Sequence, residues 1–468
     1  MEPKFGFTQN PTRSLFYFGE SNNQSSSSDP IQPADTSINE ISSSLSQMTF
    51  ANEHSAEAVG KINSDDPILQ LEGLQFIRKE LSQKDNPPIN EIINSGICRR
   101  ILDLASTMPD DEFLFEATWV FSNILSGNSK QTAYLVNLDV IPFLFRLFDK
   151  TNDDIKDQVM WAFGNIAGDN TNWRDLIISN ENFGYIIDLC NNMNFSNRNM
   201  IKTCSWAVSN FLRGSPQPVV EKVLPFVRFL KRIIVELEEQ EILTDALWGC
   251  FYITELHSSL EAFQKKQFLE KIIRQLSTWK IELLTASLKT IGNITSQMEN
   301  SFSVLFRLGF LEKIDSLLCH QKRTIRKEAC WILSNMSTES CDVVAKFLEN
   351  KLYEKLLHIM KTDSQDVKKE AIWVIANSAT VCDSNQVINL AQLGMVKELI
   401  NCIKFNDCRN IALEALCSYV KKVPDVINAE EKDILIKNID LLVNCGEDCE
   451  HAMNLRELLN NRNGDENN

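Results

Sequence analysis

The sequence contains no run of 18 apolar residues, so nothing in it reads as a membrane span. Its start, MEPKFGFTQN, has no apolar core, and no secretory leader is expected. Histidine is scarce, with five in 468 residues, and none sits in a catalytic-looking setting. P-loop, G-x-S-x-G and H-E-x-x-H patterns are absent. An enzyme is therefore not expected, and no catalytic residue or cofactor is assigned. No Gly/Pro-rich linker divides the chain after residue 90. Thirteen cysteines are scattered without paired spacing, and an odd count in a chain of this kind points to reduced thiols. Cys445, Cys449 and His451 cluster, but their spacing is not that of a zinc site and no fourth ligand is near, so no metal is expected.

Positive charge is short as well. The formal net charge is −16. Such acidity disfavours nucleic acid as a partner and favours a basic one. From Ser14 to Gly60 there is no Lys or Arg at all. Residues 1–54, with QSSSSDP and INEISSSLS, are polar and short of aliphatic packing residues, and they read as a disordered arm.

What the chain does have is helical periodicity from Ser55 onward, with few strand signals. Ile93, Ile97, Ile101 and Leu104 recur at three- and four-residue steps. Above that period lies a longer one. EATWVFSNILSG, DQVMWAFGNIAGD, IKTCSWAVSNFLRG, DALWGCFYITE, TASLKTIGNITS, KEACWILSNMST and KEAIWVIANSAT are versions of one phrase. Aligning them places Trp119, Trp161, Trp206, Trp248, Lys289, Trp331 and Trp373 in register, at separations of 42, 45, 42, 41, 42 and 42. Six of the eight tryptophans fall on this grid, which excludes chance.

A period near 42 belongs to the helical armadillo and HEAT class, in which each unit buries its apolar face only against its neighbours. The expected fold is all-α: a right-handed superhelical solenoid of about nine to ten armadillo repeats. The array is expected over 55–428, with closing helices and an acidic tail over 429–468.

Four residues after each grid position stands a polar residue: Asn123, Asn165, Asn210, Tyr252, Asn293, Asn335 and Asn377. Residues four apart share a helix face, so stacked repeats make two ladders, one indole and one amide. A core needs volume and apolarity and has no use for amides at a fixed offset. Amides can pair with the main chain of an extended peptide. Slots between parallel indoles suit lysine stems, each such contact contributing about 0.5–2 kcal/mol. Carboxylates beside the slots would complete the site: Asp169 after the second phrase, and Asp245, Glu328 and Glu370, each three residues before a grid position.

These phrases, together with AVGKINSDDPILQLEGLQFIRKELS, NPPINEIINSGI and WAFGNIAGDN, make the region from Ser55 to Val423 resemble importin-α (karyopherin-α), the adaptor family for nuclear localisation signals. The resemblance implies a non-enzymatic transport adaptor, shuttling between cytoplasm and nucleus, that binds proteins bearing basic localisation signals and neither nucleic acid nor membrane. It implies a major peptide site at Trp119, Asn123, Trp161, Asn165, Trp206, Asn210 and Asp245. Gly127, Thr132 and Asp169 match the family's deep lysine pocket, and Gln158 its neighbour. A minor site is implied at Lys289, Asn293, Glu328, Trp331, Asn335, Glu370, Trp373 and Asn377, with Trp248 and Tyr252 linking the two. Lys289 stands where the family usually has Arg, and Gln297 where a Gly often ends the phrase.

The family's basic importin-β-binding segment has no counterpart in this non-basic arm. The usual link to importin-β is therefore in doubt, and the groove is expected to lack the usual tethered competitor. Two Phe-Gly pairs, Phe5-Gly6 and Phe18-Gly19, are its one feature suggestive of receptor docking. The region where family members meet an export receptor looks diverged.

Overall fold

A computed structural model describes residues 53–460, apart from residues 84, 108–109, 151, 257–262, 299 and 445–449. The arm with its Phe-Gly pairs and the pair Cys445 and Cys449 lie outside the described residues. Among the described residues every regular element is a helix. The described residues form two compact units, one up to residue 223 and one from residue 224.

In the first unit the phrase-bearing helices Asp111–Leu125, Asp153–Asp169 and Arg198–Leu212 stack in series, and Pro67–Leu81 packs ahead of them. In the second, Gln240–Thr254, Ile281–Gln297, Arg323–Met336, Gln365–Val381 and Asn406–Lys422 stack in the same way. Shorter helices such as Ser129–Asn137 and Val140–Lys150 lie between successive inner helices in sequence and complete each repeat. This is the all-α repeat architecture that the 42-residue period predicts.

The inner helices bury an apolar face against their neighbours. In Asp153–Asp169, Ile155, Val159, Met160, Ala162, Phe163 and Ile166 are all withdrawn from water. Its low amphipathicity follows from that burial. The starts of these helices differ between the units. In the first, Asp66, Asp110, Asn152 and Asn197 accept hydrogen bonds from Ile68, Phe113, Ile155 and Met200 backbone N–H groups. In the second, the residues before the inner helices are Glu239, Lys280, Lys322, Ser364 and Phe405, and none makes a side-chain cap. Those helices depend more on packing for their ends.

One carboxylate in the first unit is held at a cost. Asp157 has an oxygen, Oδ1, wholly out of water and without a hydrogen-bond partner. Burial raises its pKa to about 6, opposed by a hydrogen bond with Thr203, while Asp154 adds to the rise. A carboxyl whose folded pKa lies above its unfolded value destabilises the fold once both states are ionised, and that penalty disappears as pH falls through the folded value. Asp157→Asn is therefore expected to raise the unfolding free energy at pH 7.5 by on the order of 2–3 kcal/mol. The gain should shrink towards pH 4.5, as paired urea titrations at the two pH values would read.

Candidate functional site

The grid residues occupy one position on successive inner helices, as the spacing requires. Trp119 and Asn123 lie on Asp111–Leu125, with Gln158, Trp161, Asn165 and Asp169 on the next inner helix and Trp206 and Asn210 on Arg198–Leu212. In the second unit, Asp245, Trp248 and Tyr252 lie on Gln240–Thr254, and Lys289 and Asn293 on Ile281–Gln297. Glu328, Trp331 and Asn335 follow on Arg323–Met336, then Glu370, Trp373 and Asn377 on Gln365–Val381. All six grid tryptophans are half-buried. Aromatic residues on the core faces, such as Phe121, Phe163 and Phe211, are at most 1 % exposed. In each unit the indoles thus line an open face.

The amides do more than line it. Asn165 Nδ2 donates to the Ser122 carbonyl at 3.1 Å, and Asn210 Nδ2 to the Gly164 carbonyl at 3.1 Å. Asn293 reaches the Phe251 carbonyl at 3.1 Å, Asn335 that of Gly292 at 3.4 Å, and Asn377 that of Ser334 at 2.9 Å. In every case the acceptor is the residue just before the ladder position of the preceding repeat. Asn123, at the start, donates to Ser82 Oγ at 3.1 Å. Because a carbonyl can only accept, the amide's orientation is fixed. In Asn165, Asn210, Asn335 and Asn377 one donor is consumed inside the stack, and the oxygen and second N–H remain for a ligand, whereas Asn293 also donates to Thr254 Oγ at 3.0 Å. The sequence reading assigned these amides to the ligand alone.

The indoles also differ from expectation. Trp161 and Trp206 lie 5.1 Å apart between ring centroids, tilted by 33°. A methylene stem between two ring faces needs about 7–8 Å, twice an ordinary carbon contact. In this pair the rings touch, giving a continuous aromatic surface in place of an open slot. Glycine makes the close approach possible. A Cβ on Gly164 would fall 2.3 Å from Trp206 Cζ3, and one on Gly292 only 1.9 Å from Trp331 Cζ3. Each glycine immediately precedes a ladder amide, and the same register holds Ser122 and Ser334 elsewhere.

Asp169 ends its helix half-buried, with both oxygens engaged. Ser129 Oγ donates to Oδ1 at 2.6 Å and Asn170 Nδ2 to Oδ2 at 2.8 Å. Each oxygen keeps a lone pair, so the carboxylate is oriented but still able to receive a cation. Thr132 is fully buried, with its hydroxyl 3.4 Å from the Leu125 carbonyl. Gly127 leaves room for Gln131, whose Oε1 would meet a Cβ there at 2.0 Å. That side chain closes a capping box with Asn128 at the start of Ser129–Asn137.

In the second unit, Lys289 Nζ lies 2.9 Å from Glu328 and 5.3 Å from the Phe251 ring centroid. Glu328 is therefore already paired, contrary to its expected role as a carboxylate waiting beside a slot. Burial pushes the nearby Glu255 carboxyl up, and Lys289 opposes that rise. Glu370 differs, since among the described residues no cation forms an ion pair with it. Burial pushes its carboxyl up, with Lys327 opposing. Tyr252 stacks on Trp248 at 6.0 Å and 26°. Gln297 Nε2 reaches the Thr254 carbonyl at 3.3 Å, tying its helix to the preceding one.

Two residues of this face went unread in the sequence. Glu116 stands three residues before Trp119, the same offset as Asp245, Glu328 and Glu370. Arg78, 41 residues before Trp119, continues the grid backward by one repeat. The offset and the period were both in hand and would have found them.

An armadillo/beta-catenin-like repeat model matches residues 85–126. The chain is 32 % identical over 275 residues to importin subunit alpha-1b of Oryza sativa subsp. japonica, covering 58 % of this chain and 51 % of that protein. It is 36 % identical over 198 residues to importin subunit alpha-2 of Arabidopsis thaliana, covering 42 % and 36 %. The chain thus spans about half or less of the length of these relatives. Among solved structures, an engineered protein superposes with a TM-score of 0.75 at 19 % identity, covering 87 % of this chain and 99 % of that one. A chain from a structure concerning the interaction between cadherin and beta-catenin gives 0.70 at 14 % identity, covering 90 % and 89 %. At such identities the likeness speaks for the fold alone.

Gly292→Ala is expected to push Trp331 off its seat and to cost about 1–3 kcal/mol, as overpacking does. Gly60→Ala, where a Cβ meets nothing within 4 Å, is the helical control and should be neutral or stabilising. Thermal melts and near-ultraviolet circular dichroism of the two variants check this.

Proposed function

We propose that the chain is a nuclear import adaptor of the importin-α family, a reading supported by its similarity to importin alpha subunits and its armadillo-like repeat. It holds lysine-rich localisation signals in an extended conformation along the indole and amide ladders. The observation that carries this reading is the register itself. Six half-buried tryptophans share one helix position, and five of them are followed four residues later by an asparagine. Apolar lysine stems lie on the indole surface, and the main chain of the peptide meets the remaining amide groups. Asp169, oriented by Ser129 and Asn170, receives one ammonium in the first unit, and Glu370 receives one in the second.

The chain's net charge of −16 draws basic cargo over distance, so affinity falls as salt rises. The adaptor shuttles between cytoplasm and nucleus with its cargo.

A second reading has one observation in its favour: residues 14–60 contain no Lys or Arg. In that reading the same groove sequesters or scaffolds basic proteins without coupling to importin-β. A pull-down of importin-β by the full chain, beside a chain lacking residues 1–54, separates the two. Capture that depends on the arm supports the adaptor, and lysine-peptide binding without capture supports the scaffold.

The groove itself is tested by Asp169→Lys. Fluorescence anisotropy with a lysine-rich peptide should show binding through the first unit lost, and the wild-type affinity should weaken between 50 and 300 mM salt. Unchanged binding by Asp169→Lys would remove the assignment.

A further inference from the structure

Arg78 occupies the register that carries tryptophan in later repeats. Its guanidinium carbon lies 4.6 Å from the Trp119 ring centroid. Nε and Nη2 donate to the two oxygens of Glu116 at 2.7 and 3.1 Å. Only 20 % of the Arg78 side chain and 8 % of that of Glu116 is exposed.

Lys289 repeats the arrangement in the second unit. It stands on the same register, with its ammonium 2.9 Å from Glu328 and 5.3 Å from the Phe251 ring centroid. Exposures are again low, 29 % for Lys289 and 14 % for Glu328. In both places the carboxylate belongs to the following inner helix, three residues before its tryptophan. The ring comes from the following helix at Arg78 and from the preceding one at Lys289.

A cation of the chain therefore rests against an aromatic face and a largely desolvated carboxylate. That is the environment the groove offers a lysine from outside. We infer that Arg78 and Lys289 are resident occupants of two cation subsites, each of which accepts a lysine or arginine side chain of a basic peptide once the resident is removed. The inference rests on the peptide-binding reading above.

The residents have a consequence for recognition. Arg78 precedes the stretch that begins at Trp119, and Lys289 the stretch that begins at Trp331. A lysine run sliding along either stretch meets a fixed like charge whose carboxylate is already engaged. Each resident is a specificity-determining stop that sets the register of the bound run. Removing one leaves a largely buried carboxylate without its partner, which is costly until another cation replaces it.

The test compares three peptides of one lysine-rich core, bearing no extension, one extra Lys or one extra Ala, with the extension placed at either end. Anisotropy measures their affinities for full-length wild-type, Arg78→Ala, Lys289→Ala and the doubles Arg78→Ala/Glu116→Ala and Lys289→Ala/Glu328→Ala. In the wild type the Lys and Ala extensions should bind within about twofold of each other. In the single variants the Lys extension at one end should gain about tenfold over Ala, the size of one charge-assisted contact. In the doubles the gain should vanish. The Lys extension should also restore more of the lost melting temperature than the Ala extension. If Arg78→Ala does not fold, Lys289→Ala decides. A folded single variant that binds the core yet keeps the wild-type ratio overturns the inference alone. Failure of the wild type to bind the core removes the peptide-binding reading and this inference with it.

Discussion

The hydrogen bond from each ladder asparagine to the preceding helix is the contact on which the rest of the face depends. A helical carbonyl uses one lone pair for its own i+4 N–H and keeps a second. The asparagine of the next repeat donates to such a carbonyl at Ser122, Gly164, Phe251, Gly292 and Ser334, and at the last three a hydroxyl, of Thr254, Thr295 or Ser337, donates to it as well. Both partners are withdrawn from bulk water, so leaving either unmatched would carry a desolvation penalty. The bond sets how closely one inner helix lies on the next and which way the amide faces. Stack geometry and ligand-facing chemistry thus come from the same atoms.

Electrostatics divides the face more finely than net charge does. Carboxylates recur three residues before the grid position, yet they are not equivalent. Glu116 and Glu328 are engaged by Arg78 and Lys289. Glu370 has no such partner among the described residues, and its burial without one pushes its carboxyl up. Asp169 is oriented by a hydroxyl and an amide, neither of which cancels its charge. Of these four carboxylates, Glu116 and Glu328 are ion-paired, and Asp169 and Glu370 form no ion pair among the described residues.

Much of this was legible in the sequence because tryptophan is rare and the period is long. Trp119, Trp161, Trp206, Trp248, Trp331 and Trp373 declared the repeat, and their companions at i+4 declared a shared face. What stayed hidden depends on distances between helices. No spacing reveals that Trp161 and Trp206 touch, or that Gly164 is the seat of an indole 42 residues later and not merely a small residue for helix packing. Nor does a spacing reveal that one amide N–H is spent inside the stack. Arg78 was hidden for a different reason, because the grid was not carried back one repeat, where Arg replaces Trp, and Glu116 because the three-residue offset was not applied to Trp119.

The residue before each ladder position links these levels. Where the next repeat in the same unit presents an indole, this residue is Gly164, Gly292, Ser122 or Ser334, and at the two glycines the indole edge lies against the backbone. Where the next repeat presents an ammonium, the residue is Phe251, whose ring faces Lys289. A phenylalanine at Gly292 would occupy the space of Trp331, and a glycine at Phe251 would leave Lys289 with its carboxylate but no ring. A grid residue and the residue before the ladder position of the preceding repeat must therefore change together. A groove of this kind changes its ligand pattern by paired substitutions across the repeat boundary. The difference in cation follows the same logic. The planar fork of Arg78 matches both oxygens of Glu116 while its flat face covers Trp119. Lys289 needs only one oxygen and one ring, which is what a point charge can use.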